Sequence, residues 1–430
     1  MNTMNSRQAR VVSHRSLTAG DHRTLVLAAL GGALEFYDFV IYVFFAAVIG
    51  ELFFPPSIPD WLRQVQTFGI FAAGYIARPL GGVIMAHFGD LVGRKRMFTM
   101  SVMLMALPTM MMGLLPTYES IGVAAPILLL LCRAVQGAAV GGEVPGAWVF
   151  VSEHVPSRYV GYACGLLTGG LTVGILIGSL IASGINRYYP QDAIGAYAWR
   201  FPFIIGGLFG ILSAFLRGWL HETPVFLEMK QSRMLAGEVP LKAVLRDHGK
   251  AVFVSMVLTW TLTAAIVVVI LMTPTLVTKR FHIEPALALE ANSAATLCLT
   301  VGCIVAGLLV GRIGTARTIF FGCLLLGASY FLMAKQLFVD PTRLLPFYAV
   351  SGFFVGAVAA IPVAMINAFP PAVRFSGISF SYNVAYAVFG GLTPVLVSVM
   401  LKSNPHAPEI YVGIVCIIGS LASFTLRRAW

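Results

Sequence analysis

Acidic side chains are scarce in this 430-residue chain, with 18 Asp and Glu residues, and all charged types together make up 11%. A soluble globule needs about a quarter of its residues charged, so that class is excluded. Paired cysteine spacings of the metal-binding kind are also missing. Cys132, Cys164, Cys298, Cys303, Cys323 and Cys416 are scattered along apolar stretches, as small packing residues are, and no metal site is expected. No nucleophile stands beside a base, no nucleotide loop is present, and GGALEF at Gly31 is too weak a phosphate signal; an enzyme or a resident cofactor is not expected. Residues 1–23 carry Arg7, Arg10, Arg15 and Arg23 with no apolar core before Thr24, so they read as a basic cytoplasmic tail rather than a cleavable signal.

What the chain has in abundance is apolar length. Hydrophobic residues make up 58% and the mean hydropathy is +0.84. Windows of about 20 apolar residues, enough to span a bilayer, fall at 24–50, 64–88, 97–115, 122–151, 160–185, 198–220, 251–276, 290–311, 318–338, 344–369, 376–401 and 409–427. Membrane barrels use alternating strands of about ten residues, unlike these continuous runs. The expected fold is an all-α membrane protein of twelve transmembrane helices, in two six-helix pseudo-repeats around a central cavity. The net charge of +11 reflects topology. With both termini placed in the cytoplasm, most Lys and Arg residues fall on that side, as the positive-inside rule requires, so no nucleic-acid partner is implied. Lipid is the implied surrounding, with a monomer in a bacterial inner membrane as the simplest assembly.

Two turns punctuate the pattern. GDLVGRKRM at Gly89–Met97 sits between the second and third windows and packs an acid, two glycines and three cations into one short cytoplasmic turn. Asp90, Gly93, Arg94 and Lys95 are the candidate cytoplasmic gate, since the cations stay out of the bilayer and the glycine allows a tight path. GRIGTAR at Gly311–Arg317 occupies the same place in the second half and reads as a worn copy. The polar stretch 221–250 joins the halves, giving a tail 1–23, a first half 24–220, a linker 221–250 and a second half 251–427. Two parallel six-helix halves with a site at their interface are a recurrent transporter plan.

Several strings then carry a family resemblance: GGALEFYDF in helix 1, RPLGG at Arg78, GDLVGRKR, CRAVQG with GGE at Cys132–Glu143, WRFPF at Trp199, ETPVF at Glu222, and FPPAVRFSGISFSYN with FGGLTP in helix 11. Together they resemble the major facilitator superfamily, and more narrowly its metabolite:proton symporter family, over nearly the whole chain. The resemblance implies transport of a small molecule with protons and points to the acids of helix 1. Ala86 and Gly32 depart from the pattern, standing where the family has glycine and often asparagine.

Charges inside spans are costly, about 2.5–3.5 kcal/mol each on insertion scales, and mark function. Glu35, Asp38 and Glu143 are the acids there. Glu35 and Asp38, three apart, share a face of helix 1, and two close acids in low dielectric favour proton uptake. They are the candidate proton-coupling pair, unless they serve as fixed partners of Arg78 or Arg133. Those two arginines are the cations inside spans, and a guanidinium offers a planar fork for a carboxylate. Arg133, Arg78 and Gln136, with Tyr382 and Asn383 from a polar and breakable stretch of helix 11, are the candidate substrate contacts, followed by Tyr37 and Tyr42. Arg200 is expected to reach the membrane interface. The expected activity is proton-coupled import of a small organic anion, such as a di- or tricarboxylate, by alternating access. Zwitterionic osmolytes such as betaine or proline, or proton-driven export, are the alternatives.

Overall fold

The computed structural model describes residues 16–82, 84, 94–217, 240–370 and 373–426. The chain is all-helical over this range, and its spans are α1 Ala19–Phe44, α2 Asp60–Ile76, α3 Arg94–Leu114, α4 Ala124–His154, α5 Ser157–Tyr188 and α6 Arg200–Arg217. The second half continues with α7 Gly249–Phe281, α8 Pro285–Ile313, α9 Thr315–Val339, α10 Pro341–Ala368, α11 Arg374–Met400 and α12 Ala407–Leu426. Nine of these described helices are long and apolar enough to cross a membrane unaided, and α6 with the segment Gln191–Ala198 before it makes a tenth, bent by 44°. With α2 and α3 they form the expected twelve. Outward-facing Leu80, Leu128, Ile211, Leu324 and Ile417 give the bundle its apolar exterior.

Hydropathy places the start of helix 1 at 24, but the helix begins at Ala19. Thr18 is the reason: its hydroxyl accepts the Asp21 backbone N–H at 3.2 Å, and the Asp21 carboxylate accepts the Thr18 N–H at 2.8 Å. This reciprocal cap satisfies donors that would otherwise be orphaned, so the helix starts inside a polar segment. The same helix stops at Phe44, before 50, and a separate short helix Ala46–Phe53 follows. In the second half, Gly314 at φ 86° joins α8 to α9 within GRIGTAR, a left-handed turn that favours glycine. Asp90 and Gly93 of the first turn lie outside the described residues, as do the side chains of Arg94 and Lys95 and most of the linker before a short helix at Pro240–Asp247.

Small residues set the closest contacts. On α5, Gly161 and Gly165 meet Gly307 of α8, where a Cβ would stand 2.6 and 2.9 Å from backbone atoms, while Gly170 and Gly174 meet Ala29 and Ala33 of α1. One helix thus carries two smooth faces, one toward each half, which is how membrane helices gain packing energy without a hydrophobic drive. Between α2 and α4 the approach is tighter still, since a Cβ on Gly137 would lie 1.8 Å from the Gly74 carbonyl oxygen.

Two spans widen into π-helical turns, and α10 tightens to 3-10 geometry over Gly356–Ala359. α7 is π-helical over Ala264–Met272 and α11 over Tyr386–Gly390. In α7 the wider turn leaves carbonyls that side chains must satisfy: Thr273 donates to Val268 O at 3.0 Å, and the Tyr348 phenol lies 2.8 Å from Val269 O and 3.2 Å from Ile270 O.

Candidate functional site

α2 carries Phe71 and Tyr75, and Arg78 follows just past its end at a further step of three; all three side chains project to one side, toward α1, α4 and α11. The helix loosens at Ala77 and resumes at Arg78, whose backbone runs close against Gly141 of α4. Arg78 is 1% exposed, and its guanidinium lies 4.6 Å from the Phe39 ring, 4.5 Å from Tyr75 and 4.7 Å from Tyr386. Its three guanidinium nitrogens make no well-formed hydrogen bond among the described residues, although Tyr382 faces it. Arg133 is completely buried and lies 4.5 Å from the other side of the same neighbourhood at Phe39, 4.7 Å from Tyr42 and 5.1 Å from Phe71. Phe39 therefore stands against both cations.

Arg133 has polar contacts that Arg78 lacks. Its Nη1 donates to Phe39 O at 3.2 Å and to Gln136 Oε1, while Nε and Nη2 have no partner among the described residues. Neither arginine forms an ion pair with a described carboxylate. A buried cation with no counter-charge is strongly destabilising, about 3–5 kcal/mol when a partner is removed, so this geometry suits an anionic group brought by a ligand.

Glu35 and Asp38 do share one face of α1, and that face is turned to α6. Ser213 of α6 donates to Glu35 at 3.2 Å. The Asp38 carboxylate lies against Gly206 and Gly210, so that a Cβ on Gly206 would stand 2.6 Å from Oδ1 and 2.8 Å from Thr109 of α3. Both Asp38 oxygens lack a hydrogen-bond partner among the described residues. Among the described residues no ion pair joins either acid to Arg78 or Arg133. Neighbouring positions 38 and 39 are about 100° apart around the helix, which sends the carboxylate to α6 and the phenyl ring to the arginines.

On α11, Tyr382 packs edge-on to Trp148 of α4 at 5.1 Å and touches Tyr386 at 4.6 Å. Asn383 donates to Gly141 O and to Ser379, so it ties α11 to α4 more than it faces an open surface. Tyr37 and Tyr42 spend their hydroxyls on Pro202 O at 2.8 Å and Thr67 O at 3.0 Å. Arg200 donates to Gly113 O and Leu115 O at the end of α3, in place of a free reach to the interface. At Gly32 a Cβ would meet Leu171 of α5 at 2.6 Å, so this position serves packing against α5. Phe39, Phe71, Tyr75 and Tyr386 are the site residues that charge-based reading misses. For Phe71 and Tyr75 the signal is present as aromatics one or two turns before a buried arginine, and for Tyr386 as the Tyr382/Tyr386 pair one turn apart; Phe39 has no such signal.

The two halves close over this region at both ends. Glu153 at the end of α4 approaches Arg374 at the start of α11, 3.8 Å apart. At the opposite end, Lys279 donates to Gln64 at 2.6 Å and the Lys402 ammonium sits 3.4 Å over the Trp61 ring.

The family model of the Major Facilitator Superfamily matches residues 28–345. The chain belongs to this superfamily. Among curated proteins it is 30% identical over 412 residues to a putative proline/betaine transporter of Staphylococcus aureus strain COL, covering 93% of this chain and 86% of that one. It is 28% identical to the glycine betaine/proline/ectoine/pipecolic acid transporter OusA of Dickeya dadantii, and 27% identical to the proline/betaine transporter of Escherichia coli K12, each match covering 94% of this chain and 83% of the relative. Among solved structures, the proton:xylose symporter XylE superposes with a TM-score of 0.76 at 15% identity, over 95% of both chains. The superfamily resemblance read from the motifs is borne out, and the chain is a multi-pass membrane transporter and not an enzyme. The expected di- or tricarboxylate substrate is overturned, because the similar carriers are named for zwitterions. A buried arginine does not separate an anion from a zwitterion, because a guanidinium recognises a carboxylate whether or not the same molecule also carries an ammonium.

Proposed function

We propose that the chain is a proton-coupled importer of small zwitterionic osmolytes, of the betaine and proline type, working by alternating access between its two six-helix halves in a bacterial inner membrane with both termini cytoplasmic. One observation carries the substrate reading: two buried guanidinium groups, without counter-ions among the described residues, stand within a cluster of aromatic faces drawn from both halves. A carboxylate suits the guanidinium nitrogens, and a methylated or secondary ammonium suits the faces of Phe39, Tyr75 and Tyr386, where a desolvated cation–π contact contributes about 2 kcal/mol. Such a ligand adds no net charge to the chamber, so each cycle moves the charge of its proton. That makes transport sensitive to membrane potential, by about 2.3 kcal/mol per charge for each 100 mV.

Asp38 is the better proton carrier of the acidic pair, since its carboxyl is buried without a hydrogen-bond partner among the described residues whereas Glu35 accepts from Ser213. Asp90, Gly93, Arg94 and Lys95 are proposed as the cytoplasmic gate from their motif, with 24–220 and 251–427 as the moving halves joined by 221–250.

Counterflow in proteoliposomes tests the reading. Labelled betaine and proline should exchange against the same unlabelled compounds, and an inward proton gradient should drive their accumulation, while succinate and citrate do neither. Exchange of succinate or citrate with no response to betaine or proline would overturn it.

A further inference from the structure

Gln136 has the chemistry of a substrate contact, yet its amide is already engaged. Its Nε2 donates to the backbone carbonyl of Asp38 at 3.0 Å and to Thr109 Oγ1 at 2.7 Å, and its Oε1 accepts from Arg133 Nη1. The orientation of this amide is determined by its partners. A carbonyl oxygen can only accept and a guanidinium can only donate, so the nitrogen must face Asp38 and the oxygen must face Arg133. Thr109 fits the same scheme because its own hydroxyl proton goes to Met105 O at 2.9 Å, leaving the oxygen free to accept. Gln136 is 0% exposed. One side chain therefore joins the substrate-side guanidinium on α4 to the backbone of the residue that bears the unpartnered carboxyl on α1, and to α3.

We infer that Gln136 is a positioning residue that couples the binding of a ligand carboxylate at Arg133 to the protonation of Asp38. This rests on the symporter reading above. When Arg133 turns toward an incoming carboxylate, Gln136 Oε1 loses its donor, and the amide can relax only by shifting against the Asp38 carbonyl and Thr109. That displacement is felt where the Asp38 carboxyl lies on Gly206 and Gly210. Among the described residues, the titratable groups near that carboxyl are Tyr37 beside it and Glu35 a turn away on α1; α3 and α6 offer it Thr109 and glycines, and Arg133 reaches it through Gln136. Without the amide, substrate site and proton site are each intact but no longer report to one another.

The test uses Gln136→Met, which keeps volume and removes all three hydrogen bonds, and Thr109→Val, which cuts one. Betaine counterflow without a gradient and accumulation driven by a proton gradient are measured on the same reconstituted full-length protein. Gln136→Met should lose gradient-driven accumulation on the order of tenfold more than it loses counterflow, with the ratio for Thr109→Val changed in the same direction and less. Combined with Asp38→Asn, Gln136→Met should add no further loss of accumulation, as coupled positions do. An unchanged ratio of accumulation to counterflow, or a parallel fall in both, overturns the assignment, and Thr109→Val decides by the same ratio if Gln136→Met does not insert. Wild-type protein that exchanges neither betaine nor proline would instead overturn the substrate reading, and this assignment with it.

Discussion

The two halves have the same helix plan and bury different chemistry. In the first, Glu35, Asp38, Arg78, Arg133 and Glu143 lie within spans. In the second, the buried polar residues inside described spans are neutral ones such as Thr273, Asn292, Ser293, Thr296 and Asn383, and the charged pair Arg280–Glu409, 2.7 Å apart, sits where α7 ends and α12 begins. The neutral network is closed: Asn292 and Ser293 donate to Ser179 of α5 at 3.1 and 2.9 Å, and Ser179 donates to Leu289 O at 3.0 Å. Groups that can satisfy one another permanently hold a shape. Groups left without a counter-charge change partner at lower cost, which suits a ligand and a proton that come and go. The difference suggests that the first half does the recognition and coupling and the second supplies a rigid wall, with Tyr382 and Tyr386 as its contribution to the ligand.

That contrast can be broken at several levels. The largest effect is expected from Gly137→Leu, which drives a side chain into Gly74 O of α2 and should abolish stable insertion, read as loss of a monodisperse protein after extraction. Next comes Arg133→Gln, which should weaken betaine transport by a factor on the order of a hundred, the size of a lost buried charge contact, with near-normal thermal stability. Asp38→Asn should leave counterflow in place and abolish accumulation driven by pH or potential; normal accumulation in that variant sinks the assignment. Tyr386→Ala should raise the apparent KM for betaine about tenfold while Tyr386→Phe stays near wild type, because the ring face and not the hydroxyl carries the contact. In the second half, Tyr348→Phe should lower thermal stability by about 1–3 kcal/mol through the unpaired carbonyls of α7, with transport changed little. If Tyr348→Phe were to cost as much transport as Arg133→Gln, the division of labour between halves would fail.

Much of the plan was legible beforehand. Hydropathy located the spans. The capping pair Thr18 and Asp21 could have set the start of α1, but a polar tail hides a helix from any hydropathy window. The i, i+3 spacing correctly placed Glu35 and Asp38 together, and equally Phe71, Tyr75 and Arg78 could have been grouped by their steps of four and three. What spacing left open was the neighbour that each face meets. The α5 glycines illustrate this, since two series at intervals of four serve two different helices, α8 and α1.

The amino-acid order by itself determined that this protein lives in a membrane, how many times it crosses, and which few ionisable groups it carries inside, because those follow from the cost of moving polar atoms into hydrocarbon. Only the tertiary structure decided that Phe39 stands between two arginines, that Asp38 turns to the glycines of α6, and that Gln136 spans the gap. Period and hydropathy specify angles around one helix axis, whereas partners depend on which other axis lies at that angle.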